Sequence, residues 1–277
     1  MQPDIVFIGG GNMARAIIGG LRQHGQPAPA LAAIEPNAAA REALTQDFGI
    51  RTAGTLQALG ASAAAPLAAT IVWAVKPQVL KDAMLAARPL LSGQQCLHLS
   101  IAAGVTTASM QAWLGDDVRI VRAMPNTPAL LGQGMTGLFA TASASQADRS
   151  KAQTIAAAVG QTLWVEQESL LDAVTALSGS GPAYVFYFLE AMREAGTQLG
   201  LTPEQAYQLA VATFAGASAL AAQSPESPEV LRQRVTSKGG TTFAATQTMD
   251  AQHMQQHFIA AMRASHDRAR EMAREFG

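Results

Sequence analysis

The stretch VTSKGGTTFAA, Val235 to Ala245, sets two adjacent glycines and two adjacent threonines behind a serine and a lysine. Gly239 and Gly240 can turn successive backbone N–H groups outward, and a helix begun by Thr241 or Thr242 adds the positive end of its dipole. These features suit a small anion or polar group; taken alone, they also suit a plain helix cap on a glycine turn. A second chemical motif lies near the start of the chain. In DIVFIGGGNMARAIIGGLRQHG, Gly9, Gly11 and Ala14 form Gly-x-Gly-x-x-Ala between an apolar run, Ile5 to Ile8, and a helical pattern through Ile17, Ile18 and Leu21. Glycine there allows a tight turn and a close backbone approach, and the helix start offers N–H groups to a pyrophosphate. Gly9, Gly11, Asn12, Met13 and Ala14 are therefore candidate dinucleotide contacts.

Strands and helices must position these motifs. ALAAIEP reads as a second strand ending at Glu35, with a helix over 38–48 after it. TIVWAVKP (Thr70 to Pro77), QCLHLSIAAG and VRIVRAMPNTPA read as further buried strands. Strands alternating with helices predict a doubly wound parallel sheet, whose ligands bind beyond the carboxyl ends of the strands. Those ends add Glu35, Asn37, Ala74, Val75, Lys76, Pro77, Ala102 and Asn126 to the cofactor-binding candidates. Glu35 stands where an acidic residue receives ribose hydroxyls and repels a 2′-phosphate, which favours NADH. Arg41 and Arg51 work against that, so the choice between NADPH and NADH stays open. Lys76 also reads as a simple strand-end charge.

From about Glu166 the pattern is helical only. SLLDAVTALSGSGPAYVFYFLEAMREAGTQLGL reads as one helix, a Ser-Gly break, and a longer helix with Pro182 in its first turn. In the next helix Thr202 is the cap, Pro203 the first residue and Glu204 part of the first turn. Leu209 to Ala222 carries no charge, so that helix must be buried all round. A helical segment of about 110 residues buries such a helix poorly alone, which predicts a helical dimer interface. A central helix of a monomeric bundle would also account for it. Tyr184 and Tyr187 are expected in the core rather than as proton donors.

Composition narrows the function classes. A net charge of −1 without a basic block argues against nucleic acid held by phosphate contacts. No uninterrupted apolar stretch of roughly 18 residues reads as membrane-spanning, and no basic leader precedes the first strand, so a cytoplasmic protein is expected. The single cysteine, Cys96, excludes an internal disulfide and a multi-cysteine metal site; no metal is expected, and QCLHLSI suggests an inert core thiol.

FIGGGNMA, AVKPQ, RAMPNTPA, ALSGSGPAYVF and VTSKGGTT occur in this order. Over Phe7 to about Thr246 the chain resembles the pyrroline-5-carboxylate reductases, and MPNTP with the GGTT loop makes the likeness specific. The resemblance implies an α/β fold: an N-terminal Rossmann-like doubly wound parallel sheet over 1–165 and an all-α C-terminal dimerisation domain over 166–277. It implies reduction of a cyclic imine to L-proline with NADPH or NADH, by a homodimer; larger rings of dimers, such as a decamer, also occur in the family. It places the substrate carboxylate in the loop of Ser237, Gly239, Gly240, Thr241 and Thr242, with Ser237 as an extra donor, and gives Thr242 the catalytic hydrogen bond to the ring nitrogen. Two departures stand out. Lys238 replaces a frequent proline, and RTAGTLQ, with Thr55 and Leu56, replaces a frequent asparagine near the adenosine ribose.

Residues 152–237 contain no lysine and no histidine. A ketone or alcohol usually needs such a proton donor, whereas an imine can arrive protonated. A β-hydroxyacid dehydrogenase-like enzyme would want a catalytic lysine there. A different imine reductase, or a non-catalytic dinucleotide sensor, would share the glycine motif; the intact GGTT loop argues against the sensor. A purely structural helical oligomer leaves the glycine motif unexplained.

Overall fold

The computed structural model describes residues 2–60 and 67–276. Two compact units emerge, one of residues 1–180 with 265–277, the other of residues 181–264. Unit 1 begins with β1 (Ile5–Ile8), α1 (Asn12–Gln23), β2 (Leu31–Ile34), α2 (Ala38–Phe48), β3 (Arg51–Ala53) and α3 (Leu56–Leu59). It continues with β4 (Thr70–Trp73), α4 (Pro77–Leu91), β5 (Leu97–Ser100), α5 (Thr107–Leu114) and β6 (Arg119–Met124). Then come β7 (Gly134–Ala140), α6 (Gln146–Ala157), β8 (Gly160–Trp164) and α7 (Leu170–Val174).

The strands lie in the order β3-β2-β1-β4-β5-β6-β7-β8. The expected doubly wound parallel sheet is present, and the order reverses between β1 and β4, where such sheets bind ligands. One junction departs from it: β6 and β7 are antiparallel. A parallel pair needs a crossover of a dozen or more residues, and only a short 3₁₀ turn, Thr127–Leu131, links these two. Side chains alternate across the sheet. Ile5 and Phe7 enter a core with Ile18, Leu44, Leu99 and Val121; Val6 and Ile8 enter the opposite core with Trp73, Leu80, Met84 and Met110.

Several expected boundaries shift. The strand of TIVWAVKP ends at Trp73, because Lys76 caps α4 and Pro77 occupies its first turn, where a missing N–H costs nothing. The Ser-Gly break is instead a π-turn, Thr175–Gly179, in which Ser180 N–H reaches Thr175 O at 2.8 Å.

Unit 2 holds α8 (Gly181–Gln198), α9 (Pro203–Gln223), α10 (Pro228–Arg234) and α11 (Thr241–Ala251), and α12 (Met254–Phe276) begins in it. The Thr202 hydroxyl accepts from Gln205 N–H and the Gln205 side chain accepts from Thr202 N–H, a reciprocal cap on α9. Gly196 lets α9 approach α8: a Cβ there would lie 2.7 Å from Ala206 Cβ. Phe188 joins Phe214 and Phe258 in an aromatic cluster that Tyr184 extends. Tyr187, expected in the core, is 70% exposed in the single chain. No helix among the described residues is long and apolar enough to cross a membrane.

Candidate active site

The glycine turn after β1 uses each glycine differently. Gly9 has φ +103°, and a Cβ on it would lie 2.6 Å from Ala74 O, so both conformation and space demand glycine. A Cβ on Gly10 would strike Leu44 Cδ1 at 2.7 Å. At Gly11 a Cβ would meet nothing within 4 Å, so this face of the turn is open. Gly11 caps α1, whose first intrahelical bond runs from Arg15 N–H to Gly11 O at 2.9 Å. The N–H groups of Asn12, Met13 and Ala14 precede that bond and have no acceptor within the helix, which makes them donors for a ligand. Ala14 is itself buried, seating α1 on the sheet. This open turn with its helix-start donors fits the pyrophosphate of a dinucleotide.

Beside the turn, the two Glu35 carboxylate oxygens accept from Gly10 N–H and Asn37 N–H, both at 2.9 Å. Asn37 caps α2 through Ala40 N–H. Arg41 Nη1 donates to Glu35 O at 2.8 Å and Pro36 O at 2.7 Å, so Glu35 and Arg41 are joined through the backbone and not as an ion pair. Thr55 caps α3 by accepting from Ala58 N–H. Ala74 N–H reaches Ile8 O at 2.8 Å, Val75 packs on the second core, and Lys76 is exposed. Ala102 is buried, its N–H donating to Ser100 Oγ at 3.3 Å.

Asn126 is engaged in a way that its sequence neighbourhood does not announce. Its Nδ2 donates to Ser178 O at 3.2 Å and Ser178 Oγ at 3.1 Å, and its Oδ1 accepts from Met135 N–H at 2.9 Å. A second unforeseen network braces the loop carrying Ala102. Glu168 accepts from Thr107 N–H at 2.7 Å and from its hydroxyl at 2.6 Å, and pairs with buried Arg122 at 2.6 Å. Charge in the middle of β6 is the one sequence signal for it, since a buried arginine needs a partner.

In unit 2, Gly239 has φ +76° and Gly240 is extended, capping α11. A Cβ on Gly240 would lie 2.6 Å from Ser237 Oγ. The pair of outward glycine N–H groups expected here is not formed: Gly240 N–H donates to Ser237 O at 3.0 Å, closing the turn. The donors move one step along. Ala244 N–H to Gly240 O, 3.1 Å, is the first bond of α11, leaving the N–H groups of Thr241, Thr242 and Phe243 ahead of it. Thr242 is half-buried, while Ser237 and Thr241 are exposed. The candidate residues thus form two groups, the dinucleotide set in unit 1 and the 237–242 set in unit 2.

Two buried titratable groups belong to neither set. Trp73 Nε1–H donates to His98 Nδ1 at 3.1 Å, so the ring proton sits on Nε2, 3.5 Å from Cys96 Sγ. Burial, with the Arg119 charge as a smaller cause, pushes His98 down to about 4. Burial also pushes the Cys96 thiol up to about 11, in keeping with an inert core thiol.

A glycine edge of this kind on a doubly wound sheet, in a chain with an all-helical second unit, defines a class: nicotinamide-dinucleotide oxidoreductases with an added helical domain. Residues 4–104 match the family model for coenzyme F420-dependent NADP oxidoreductases, and residues 168–272 match that for pyrroline-5-carboxylate reductase dimerisation. A pyrroline-5-carboxylate reductase from Pseudomonas aeruginosa is 44% identical over 99% of this chain and 98% of its own, and one from Escherichia coli is 36% identical over 95% of each. The structure of a pyrroline-5-carboxylate reductase from Coxiella burnetii superposes with a TM-score of 0.90, at 39% identity and 99% coverage of both chains. The chain belongs to the pyrroline-5-carboxylate reductase family. It is an NAD(P)H-dependent oxidoreductase, and its dimerisation domain makes it a homo-oligomer.

Proposed function

We infer that this chain reduces L-1-pyrroline-5-carboxylate to L-proline with NAD(P)H, the last step of proline biosynthesis. The observation that carries the reading is the donor-rich start of α11 behind Gly239 and Gly240, in a chain matched to its family over nearly its whole length. When bound, the reduced nicotinamide supplies a hydride to the C=N carbon. The pyrophosphate is held by Gly9, Gly11, Asn12, Met13 and Ala14, chiefly through backbone N–H groups. Asn37, Ala74, Val75, Lys76, Pro77 and Ala102 complete the cofactor edge, and Asn126, just past the end of β6, stands beside it. Glu35 receives the adenosine ribose, and its carboxylate favours NADH over NADPH.

Ser237, Gly239 and Thr241 hold the substrate carboxylate, and Gly240, its own N–H spent on Ser237 O, shapes the turn that presents them. Thr242 bonds the ring nitrogen as it changes from imine to amine. With no lysine or histidine between 152 and 237, the imine enters already protonated, and positioning with one hydroxyl bond suffices. The proposed assembly is a homodimer with functional halves 1–165 and 166–277, from which larger rings such as a decamer can be built; its proposed setting is the cytoplasm.

Steady-state reduction of pyrroline-5-carboxylate with each cofactor tests the activity, and Thr242→Val tests the site. The variant keeps shape and removes the hydroxyl, so kcat is expected to fall on the order of 10- to 1,000-fold with substrate KM less affected. Wild-type turnover by Thr242→Val would reduce that hydroxyl to a structural group.

A further inference from the structure

The two motifs MPNTP and ALSGSGP meet through one side chain. Ser178 O lies in the π-turn, and the residue four places on is Pro182, which has no N–H to give it. A carbonyl left so would be an orphan, and Asn126 Nδ2 takes the place of the missing donor at 3.2 Å. The same nitrogen reaches Ser178 Oγ at 3.1 Å, and the other end of the amide holds Met135 N–H at 2.9 Å. Three of the four hydrogen-bonding capacities of the amide are thereby committed within the protein. The turn also packs on the last residue of β6: a Cβ on Gly179 would lie 2.5 Å from Met124 Cε. The adjoining Ser180 Oγ is bonded to Ser265 Oγ at 3.0 Å, where the chain re-enters unit 1.

We propose that Asn126 is a positioning residue, not a cofactor ligand: it substitutes for the N–H that Pro182 lacks and so holds the π-turn and the end of β6 in one arrangement. This rests on the proposed function only in its kinetic part. The end of β6 belongs to the sheet edge assigned to the cofactor, and Ser178, which accepts from Asn126, keeps its own hydroxyl hydrogen to donate. Loosening the amide displaces both, and displacements on the order of 1 Å lower chemical rates steeply.

The test is a double-mutant cycle between Asn126→Ala and Pro182→Ala, read by melting temperature, NADH affinity by fluorescence titration, and kcat. Asn126→Ala is expected to lower the melting temperature by about 2–8 °C and kcat by about tenfold, with the NADH Kd changed less than about threefold. Pro182→Ala restores a backbone donor to Ser178 O, so in that background the Asn126→Ala penalties should shrink by about half or more. Asn126→Asp, which keeps the acceptor for Met135 but has no donor for Ser178 O, leaves that carbonyl as bare as Asn126→Ala does and gives the same cycle if the alanine variant does not fold. Equal penalties in both backgrounds, or a tenfold weaker NADH Kd with an unchanged melting temperature, would overturn the proposal. If the wild-type chain lacked turnover, the proposed function would fall, while melting and NADH binding would still decide the role of Asn126.

Discussion

The two units handle apolar side chains in opposite ways. Unit 1 closes two cores on the two faces of its sheet, with Phe7, Ile18, Trp73 and Leu99 all at 2% exposure or less. In unit 2, the buried hydrophobic residues among those described are Leu189, Ala206 and Ala210, while Tyr187 is 70% exposed, Leu209 56% and Leu220 60%. Apolar groups left in water in such number mark a surface that another chain covers. Unit 1 is therefore complete by itself, whereas unit 2 reaches its native burial by pairing. The matched dimerisation family over 168–272 agrees with this.

The largest effect should come from Leu209→Glu on α9. In an isolated chain a substitution at so exposed a position changes stability by about 0.5 kcal/mol or less; an unpaired charge inside a subunit contact costs about 3–5 kcal/mol. The expected result, read by light scattering, is dissociation or insolubility with loss of activity. The matching change in unit 1 is Leu99→Ala, a cavity in a closed core, which should cost about 2–5 kcal/mol and leave the mass of the assembly unaltered. A soluble Leu209→Glu variant of unchanged mass and activity would erase the distinction between the units.

A smaller effect belongs to unit 1 alone. His98 is neutral when folded, held down to about 4, while an unfolded histidine titrates near 6.5. As pH falls below about 6.5 the unfolded state takes up the proton first, so stability is lost between about 6.5 and 4, by about 3 kcal/mol at the lower end. His98→Gln keeps an acceptor for Trp73 and has nothing to titrate. Its melting temperature should decline less between pH 7 and pH 5 than that of the parent; an equal decline would locate the acid sensitivity elsewhere.

Local signals decided which elements could be read in advance. The helix at about 38–48 is legible because Asn37 caps it and Gly49, at φ +69°, stops it. Apolar β1 and the Thr202 cap were equally plain. β7 and β8 carry no such signal: GMTGLFA is broken by glycines, which exist for packing that only the fold reveals. A Cβ on Gly137, for instance, would lie 2.7 Å from Val174 Cγ1. At the site, residue type and place in the chain pointed to Glu35 and to the 237–242 loop. The direction of individual N–H groups was not legible. Gly10 N–H turns to Glu35 and Gly240 N–H to Ser237 O, and both choices depend on backbone angles. Asn126 stands out in the sequence by its place at a strand end, but its partners lie in a distant segment, through the π-turn.

The reaction of this family requires that a hydride reach the imine carbon of pyrroline-5-carboxylate. The most direct measurement is mass spectrometry of the proline formed by the oligomeric wild-type protein from cofactor deuterated on both C4 positions. The product should be proline heavier by one deuterium, placed on C5, formed at a rate equal to cofactor oxidation. Bound cofactor with no labelled proline, or label at another carbon, would contradict it.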